Sequence, residues 1–327
     1  MKAVTYRRYG PPEVLQYEEV PTPIPKANEL LIKVKATNVS SGDCEMRRFD
    51  IPAFFWLFAR LYLGVFRPRK IIMGQELAGV VEEVGSQVQN FKVGDEVFAA
   101  TKTQMGAYAE YCCLRATATI LKKPENMSFA AATTVPVGGL NALHFLRKAA
   151  IQKGEKVVIH AASGGIGTYA VQLARYFGAE VTAVCESKDF ALIKELGATH
   201  CIDYTQEDFT ANGQQYDVIF DTIGKADTGK SYEALAKGGR LLLANPSSGD
   251  ILSAWFKPKR AGKKMIITMA RETPEELAYL KQLIEAGEIQ AVIDRVYPLQ
   301  EMVAVHQYVE KRVKVGHVVV EVAEEGT

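Results

Sequence analysis

Ser163-Gly164-Gly165-Ile166-Gly167 is a glycine turn set between two regular elements. Before it, Val157-Val158-Ile159 is a short apolar run of the kind that forms a buried parallel strand. After it, Ile166, Ala170, Leu173 and Ala174 keep helical spacing up to the stop at Gly178. Strand, glycine turn and helix N-terminus in that order suit one task, the holding of a pyrophosphate. Glycines lack the Cβ that would keep the backbone from the phosphates, and the free N–H groups and dipole at the helix start favour an anion. A glycine turn alone is weak evidence, because most are only turns. Its flanking strand and helix favour a dinucleotide site, with Ala162, Ser163, Gly164, Gly165 and Ile166 as candidate cofactor-binding residues.

A turn of this kind has to be positioned by repeating strand–helix units, and from Pro124 the chain has that grammar. Residues 128–146 are predicted mostly helical, broken at Pro136 and Gly138-Gly139. Further strands are predicted at 180–185, 200–203, 218–221 and 240–243, with helices at 190–196 and 231–235. Repeated βαβ units predict an α/β fold with a doubly wound parallel sheet. The first part of the chain reads differently. Residues 3–6 form a short strand, and Glu29-Leu-Leu-Ile-Lys-Val-Lys-Ala36 alternates like a half-buried one. Short strands broken by Gly, Asp and Asn continue to residue 114, the mark of a β-rich barrel. The tail returns to mixed elements, ends in a strand at 317–322, and is expected to rejoin the barrel. The expected division is 1–122, 123–264 and 265–327.

The 327 residues, 48% of them apolar, can bury the cores of two domains. A net charge of +1 gives no global pull towards nucleic acid or an anionic membrane. The densest basic cluster, Lys257, Lys259, Arg260, Lys263 and Lys264, reads as a solvated loop. Five cysteines without a CxxC pair argue against a disulfide framework or a cysteine-rich zinc cluster. Cys112 and Cys113 read as small core residues, a usage that suits the cytoplasm. No secretory signal is visible at the N-terminus. The apolar stretch 54–66 is too short to span a bilayer, and Arg60 interrupts it. It reads as a helical pocket wall or core piece, and membrane association is not expected.

The order of these pieces resembles the medium-chain dehydrogenase/reductase superfamily, in its zinc-independent quinone oxidoreductase, or ζ-crystallin-like, branch. The likeness rests on Glu29-Leu-Leu-Ile-Lys-Val-Lys-Ala36, Gly74-Gln-Glu-Leu-Ala-Gly-Val-Val-Glu-Glu-Val-Gly85, Val93-Gly-Asp-Glu-Val97, Ala162-Ser-Gly-Gly-Ile-Gly167, Glu195-Leu-Gly-Ala198 and Phe220-Asp-Thr-Ile-Gly224. It covers essentially the whole chain. It implies a GroES-like β-barrel domain plus a Rossmann domain, a site in the cleft between them, and a homodimer formed through a Rossmann edge strand. Zinc alcohol dehydrogenases, which are similar to this chain, place Cys where Ser40 stands, His where Gln75 stands, and a second Cys near Val137. A hydroxyl, an amide and a valine cannot replace thiolate and imidazole donors, so a site without zinc is expected. His160, at the end of a buried strand, reads as a satisfied core residue rather than a ligand.

An acid at the tip of the second strand ordinarily binds the adenosine ribose 2′-OH and repels a 2′-phosphate. Neutral Cys185 occupies that tip, with Glu186 one step beyond and Ser187 and Lys188 able to offer a hydroxyl and a cation. The resemblance adds Tyr204 and Arg312 to this pocket. The expected cofactor is NADPH, with NADH kept open by Glu186. Ser187 and Lys188 also read simply as a helix cap and a solvated residue. Ile223, Leu243 and Ala244 should lie at strand ends beside the nicotinamide, and Asn141 stands where the family often has Thr. Without a Lewis acid, hydride delivery to an electrophilic quinone or α,β-unsaturated carbonyl is favoured over reversible alcohol oxidation. Ser40, Asp43 and Gln75 are the candidate catalytic residues, with Ser41 beside them; each reads equally well as a structural hydrogen-bonding residue. The family's Asn-Pro-x-x-Asp is here Ser40-Ser-Gly-Asp43, and its Arg-x-Gly-x-Tyr-Pro is Arg47-Arg-Phe-Asp-Ile-Pro52. The acceptor pocket is therefore expected to be reshaped and more apolar. Two other readings stay open. One is a non-catalytic NADPH-binding sensor, structural or assembly protein, and the other a membrane-surface reductase resting on residues 54–66.

Overall fold

The computed structural model describes residues 1–51, 53–256 and 260–322; Lys257 and Lys259 of the basic cluster lie outside them. The chain forms two compact units. One comprises 1–137, 272–286 and 291–327, and the other 138–271 and 287–290.

The first unit opens with the antiparallel pair β1 (Lys2–Tyr6) and β2 (Leu15–Glu19). The long strand β3 (Glu29–Val39) leads into α1 (Ser41–Arg48) and α2 (Ala53–Leu63). Then come β4 (Glu76–Val84), β5 (Glu96–Ala100), β6 (Tyr111–Arg115), β7 (Thr119–Lys122) and the single turn α3 (Phe129–Ala132). The alternation in β3 predicted one buried face, but Leu30, Leu31 and Ile32 are all buried. This stretch is central in its sheet: residues 29–33 of β3 pair with β6 on one edge and meet β4 on the other. Cys112 is buried in this core and Cys113 is half-buried.

In the second unit, the expected break at Pro136 is a π turn over Val135–Gly139 at the boundary, after which α4 (Leu140–Ala149) begins. A proline lacks the N–H that a regular α turn would use, and a wider turn absorbs the gap. The parallel elements follow in order: β8 (Lys156–His160), α5 (Gly165–Tyr176), β9 (Glu180–Cys185), α6 (Phe190–Glu195) and β10 (His200–Asp203). They continue with β11 (Tyr216–Asp221), α7 (Thr228–Glu233), β12 (Leu235–Leu243), α8 (Ser248–Phe256) and β13 (Lys264–Ile267). The helix predicted at 231–235 begins and ends earlier, because Leu235 is fully buried and already pairs with Tyr216. Strand order is β10-β9-β8-β11-β12-β13, all parallel. Counted along the chain this is 3-2-1-4-5-6, the doubly wound order whose switch point lies between β8 and β11.

The chain then returns to the first unit with α9 (Pro274–Glu285), β14 (Ile293–Pro298), α10 (Met302–Glu310) and β15 (His317–Glu321). The larger sheet runs β14-β15-β3-β4-β5-β7, with β6 also on β3. The return begins later than residue 265, since β13 is bonded to β12. Likewise residues 123–137 pack with the first unit rather than the second. Met302, Val305 and Val309 of α10 join the core of Leu30, Ile32, Leu77 and Val318. Arg47, on α1, is wholly buried against α10. Its Nε donates to Gly10 O at 3.1 Å, its Nη1 to His306 Nδ1 at 3.0 Å, and it pairs with Glu310. Burial and then the Arg47 charge push His306 down to about 3, so the imidazole is neutral and accepts. Removing one member of such a buried group typically costs about 3–5 kcal/mol. The cluster therefore ties α1, with Ser40 and Asp43 at its start, firmly to α10.

Candidate active site

The glycine turn after β8 starts two residues earlier than the sequence suggests. Ala161 takes a left-handed conformation (φ 58°), and Gly164 N donates to Ala161 O at 3.1 Å. Gly164 is the N-cap of α5, without a side-chain cap, so nothing from the turn's own side chains occupies the first N–H groups of the helix. Ala162 and Gly167 are buried, while Ser163, Gly164, Gly165 and Ile166 form the half-exposed rim. A Cβ on Gly167 would stand 2.3 Å from Ala161 O and 2.7 Å from Ala162 C. Only glycine lets the helix start this close to the strand. The turn is thus an open cradle of backbone N–H groups at a switch point, which fits a pyrophosphate.

At the end of β9, Cys185 is buried and Glu186, Ser187 and Lys188 lie in the following turn. Lys188 Nζ is 2.8 Å from Glu186 Oε2, and Tyr204 OH donates to Glu186 Oε1 at 3.0 Å. Ser187 N donates to Asp203 Oδ2 at 3.0 Å, and its side chain caps no helix. Glu186 therefore gathers Lys188 and Tyr204, two of the groups expected to meet a phosphate. Arg312 follows α10 in the first unit and has a left-handed backbone (φ 56°).

Beyond β11, Asp221 is fully buried and closes the loop on itself. It accepts from Ile223 N and Gly224 N at 3.1 and 3.0 Å, from Ala226 N at 2.9 Å, and lies 3.1 Å from His160 Nδ1. Burial alone would raise this carboxyl, but the imidazole and the backbone donors hold it below the ordinary value. His160 is thus engaged with a partner. Ile223 is left partly exposed at the loop, Leu243 is buried, and Ala244 N donates to Asp221 O at 3.1 Å. A cleft of about 390 Å³ at these strand ends is lined by Gly224, Asp227, Thr228, Ser247 and Asp250. Its two carboxylates disfavour a phosphate, unlike the α5 turn. Asn141 sits half-buried in the first turn of α4.

In the first unit, Ser40 caps α1 and forms a capping box with Asp43. Ser40 Oγ donates to Asp43 Oδ2 at 2.6 Å and accepts from Asp43 N at 3.2 Å. Gln75 Nε2 reaches Asp43 Oδ1 at 3.4 Å, a long contact. Asp43 is buried, and desolvation raises its carboxyl above the usual range despite the bonds from Ser40 and Gln75. The three candidates are therefore one cluster centred on Asp43, with Ser41 exposed beside it. The Gln75 amide carries a second N–H besides the one aimed at Asp43, which makes it the donor of the three able to meet an incoming oxygen.

Sequence reasoning passed over the neighbour, Glu76. Its Oε1 accepts from Asn38 Nδ2 at 2.6 Å and its Oε2 from Val137 N at 2.8 Å. Asn38 Nδ2 also lies 3.1 Å from His317 Nδ1. Burial raises Glu76 to about 8, beyond what the Asn38 and Val137 bonds offset. The available signal was Asn38, a polar residue near the end of β3. Ser40, Gln75 and Val137 offer hydroxyl, amide and aliphatic side chains where zinc would need thiolate or imidazole, so this donor set does not fit a zinc ion. Among the described residues no group of three His, Cys, Asp or Glu side chains is disposed to hold a metal.

Two family models match the chain: an alcohol dehydrogenase GroES-like domain over residues 26–125 and a zinc-binding dehydrogenase over 196–320. A chloroplast envelope quinone oxidoreductase homolog of Arabidopsis thaliana is 31% identical over 316 residues, covering 92% of each chain. An NADPH-dependent alkenal/one oxidoreductase of the same plant is 30% identical, covering 98% of this chain and 79% of its own. The solved quinone oxidoreductase of Coxiella burnetii superposes with a TM-score of 0.89 at 31% identity, over 99% of both chains.

Proposed function

Because the chain belongs to the medium-chain dehydrogenase/reductase superfamily, in its quinone oxidoreductase branch, and is an oxidoreductase, we propose that it is a zinc-independent, NADPH-dependent reductase of quinones or α,β-unsaturated carbonyls. The observation that carries the reading is the backbone cradle at Gly164–Gly167, joined to a donor set that cannot hold zinc. A bound NADPH would supply hydride. The chain's own residues do the rest. N–H groups of the α5 turn hold the pyrophosphate. Lys188, Ser187 and Tyr204 serve the 2′-phosphate, and Asn141, Ile223, Leu243 and Ala244 belong to the nicotinamide side.

The Lys188–Glu186 pair does not oppose this reading. Lys188 is largely exposed, and such pairs are worth about 0–1 kcal/mol, less than a charge-assisted bond to a dianionic phosphate. Acceptors of this kind are already electrophilic, so the protein need only stabilise oxygen charge as it develops. Ser40 has spent its hydrogen on Asp43, and Asp43 is turned inward. Gln75 is then the catalytic donor, and Asp43 and Ser40 are positioning residues.

The test is a panel of quinones and enones assayed with NADPH and NADH in parallel. Turnover with NADPH, unaffected by chelators, is expected; cofactor binding without turnover of any acceptor would favour the non-catalytic alternative. Lys188→Ala should raise KM for NADPH about 10-fold, the loss of one charge-assisted contact, and leave KM for NADH unchanged. Equal effects on both cofactors would remove Lys188 from the phosphate pocket. Gln75→Leu should lower kcat about 100-fold while cofactor affinity holds, as for loss of one oxyanion donor.

A further inference from the structure

The apolar stretch after Pro52 is a helix, but it is not a core piece. Leu57, Phe58, Leu61, Tyr62 and Val65 share one face of α2 and its continuation, and all are exposed, Phe58 by 72%. Phe66 beyond them is 94% exposed. The opposite side of the segment is anchored. The Arg60 guanidinium lies 3.8 Å from the Phe49 ring centroid and 5.0 and 5.1 Å from those of Tyr9 and Trp56. Arg60 Nη1 donates to Val65 O at 3.1 Å, and Tyr9 OH to Gly64 O at 3.1 Å. Stacking and these bonds hold the helix with its aromatic face outward. A contiguous run of exposed large apolar side chains on a protein surface marks an interaction site.

Charge says with what. From Ile51 to Gln75 the chain has no Asp or Glu, but it carries Arg60, Arg67, Arg69 and Lys70. The last three are exposed just past the apolar face. We propose that α2 and residues 64–70 dock this protein on an anionic lipid surface, contrary to the expectation from the sequence. Phe58, Leu61 and Phe66 would enter the headgroup–acyl boundary, Tyr62 sits at headgroup depth, and the three cations meet lipid phosphates. A second copy fits less well, since two-fold pairing would bring two such cation sets together with no acid in either segment. The inference stands apart from the choice of acceptor.

The test is flotation of the full-length protein, with NADPH present, on vesicles of phosphatidylcholine alone or mixed equally with phosphatidylglycerol. Co-flotation with the anionic vesicles only is expected. Arg67→Gln with Arg69→Gln should weaken partition about thirty-fold, the effect of two charges at an anionic surface. Phe58→Gln with Leu61→Gln should abolish flotation and leave Tm and turnover of a water-soluble acceptor unchanged. Protein remaining unbound to anionic vesicles, or flotation indifferent to both pairs, overturns the proposal. So does a Phe58/Leu61 variant that splits a dimer, or that raises KM for a soluble acceptor while floating normally; these would assign the face to a second copy or to a pocket wall.

Discussion

Gly167→Ala is expected to weaken NADPH binding about 100-fold and to lower Tm, because overpacking against rigid atoms costs about 3 kcal/mol. The added carbon would sit 2.3 Å from Ala161 O and 2.7 Å from Ala162 C. Both belong to the backbone of the turn, so no side chain can swing aside. Relief requires α5 to move from β8, which carries the first-turn N–H groups away from the phosphates. Gly164→Ala is the control for the loss of Tm. Its nearest contact is Ala161 O at 3.3 Å, which a shift of a few tenths of an ångström absorbs. Fluorescence titration with NADPH, beside thermal unfolding, reads both effects. Wild-type affinity in Gly167→Ala would mean that the phosphates do not lie on this turn.

Glu76 should make the protein lose stability as pH rises from about 5 to 8. Its carboxyl is raised from 4.5 to about 8, so the folded state keeps a proton that the unfolded chain has released. The stability it contributes is complete below the unfolded value and gone above the folded one. The loss is at most about 5 kcal/mol, on the order of 10 °C in Tm for a chain of this size. Asp43 is raised as well, and so pulls in the same direction. Lys314, lowered by burial to about 8, acts in the opposite sense but only above that pH. Comparison with Glu76→Gln isolates the carboxyl. The variant should lose most of the slope between pH 5 and 8, with a higher Tm than the parent at pH 8. Parallel Tm curves for the two proteins would show that Glu76 is ionised throughout.

Local signals were enough wherever backbone chemistry is written in residue type. Val157 to Ile159, the glycines 164, 165 and 167, and the helical spacing from Ile166 to Ala174 specify strand, turn and helix without help from the rest of the chain. The repeated βαβ grammar likewise implied a doubly wound sheet, and strand order 3-2-1-4-5-6 agrees with it. The substitutions Ser40 and Gln75, read from types alone, already argue against thiolate–imidazole coordination. Burial and partnership were not readable in this way, because they depend on which distant strands arrive. β3 looked half-exposed until β4, β6 and β15 covered it. Asp43 could have been an exposed acid; the capping box and its burial turn it inward and leave Gln75 as the donor. Glu76 became a raised carboxyl only when Asn38 and Val137 closed around it, and Lys188 found Glu186 only through a turn. The apolar stretch after Pro52 shows the same limit: hydropathy predicted a helical pocket wall or core piece, but the Arg60 stack holds its aromatic face to solvent. Residue type and spacing govern short-range backbone geometry. Solvent exposure and protonation are set by contacts between segments far apart in the chain, which no local pattern encodes.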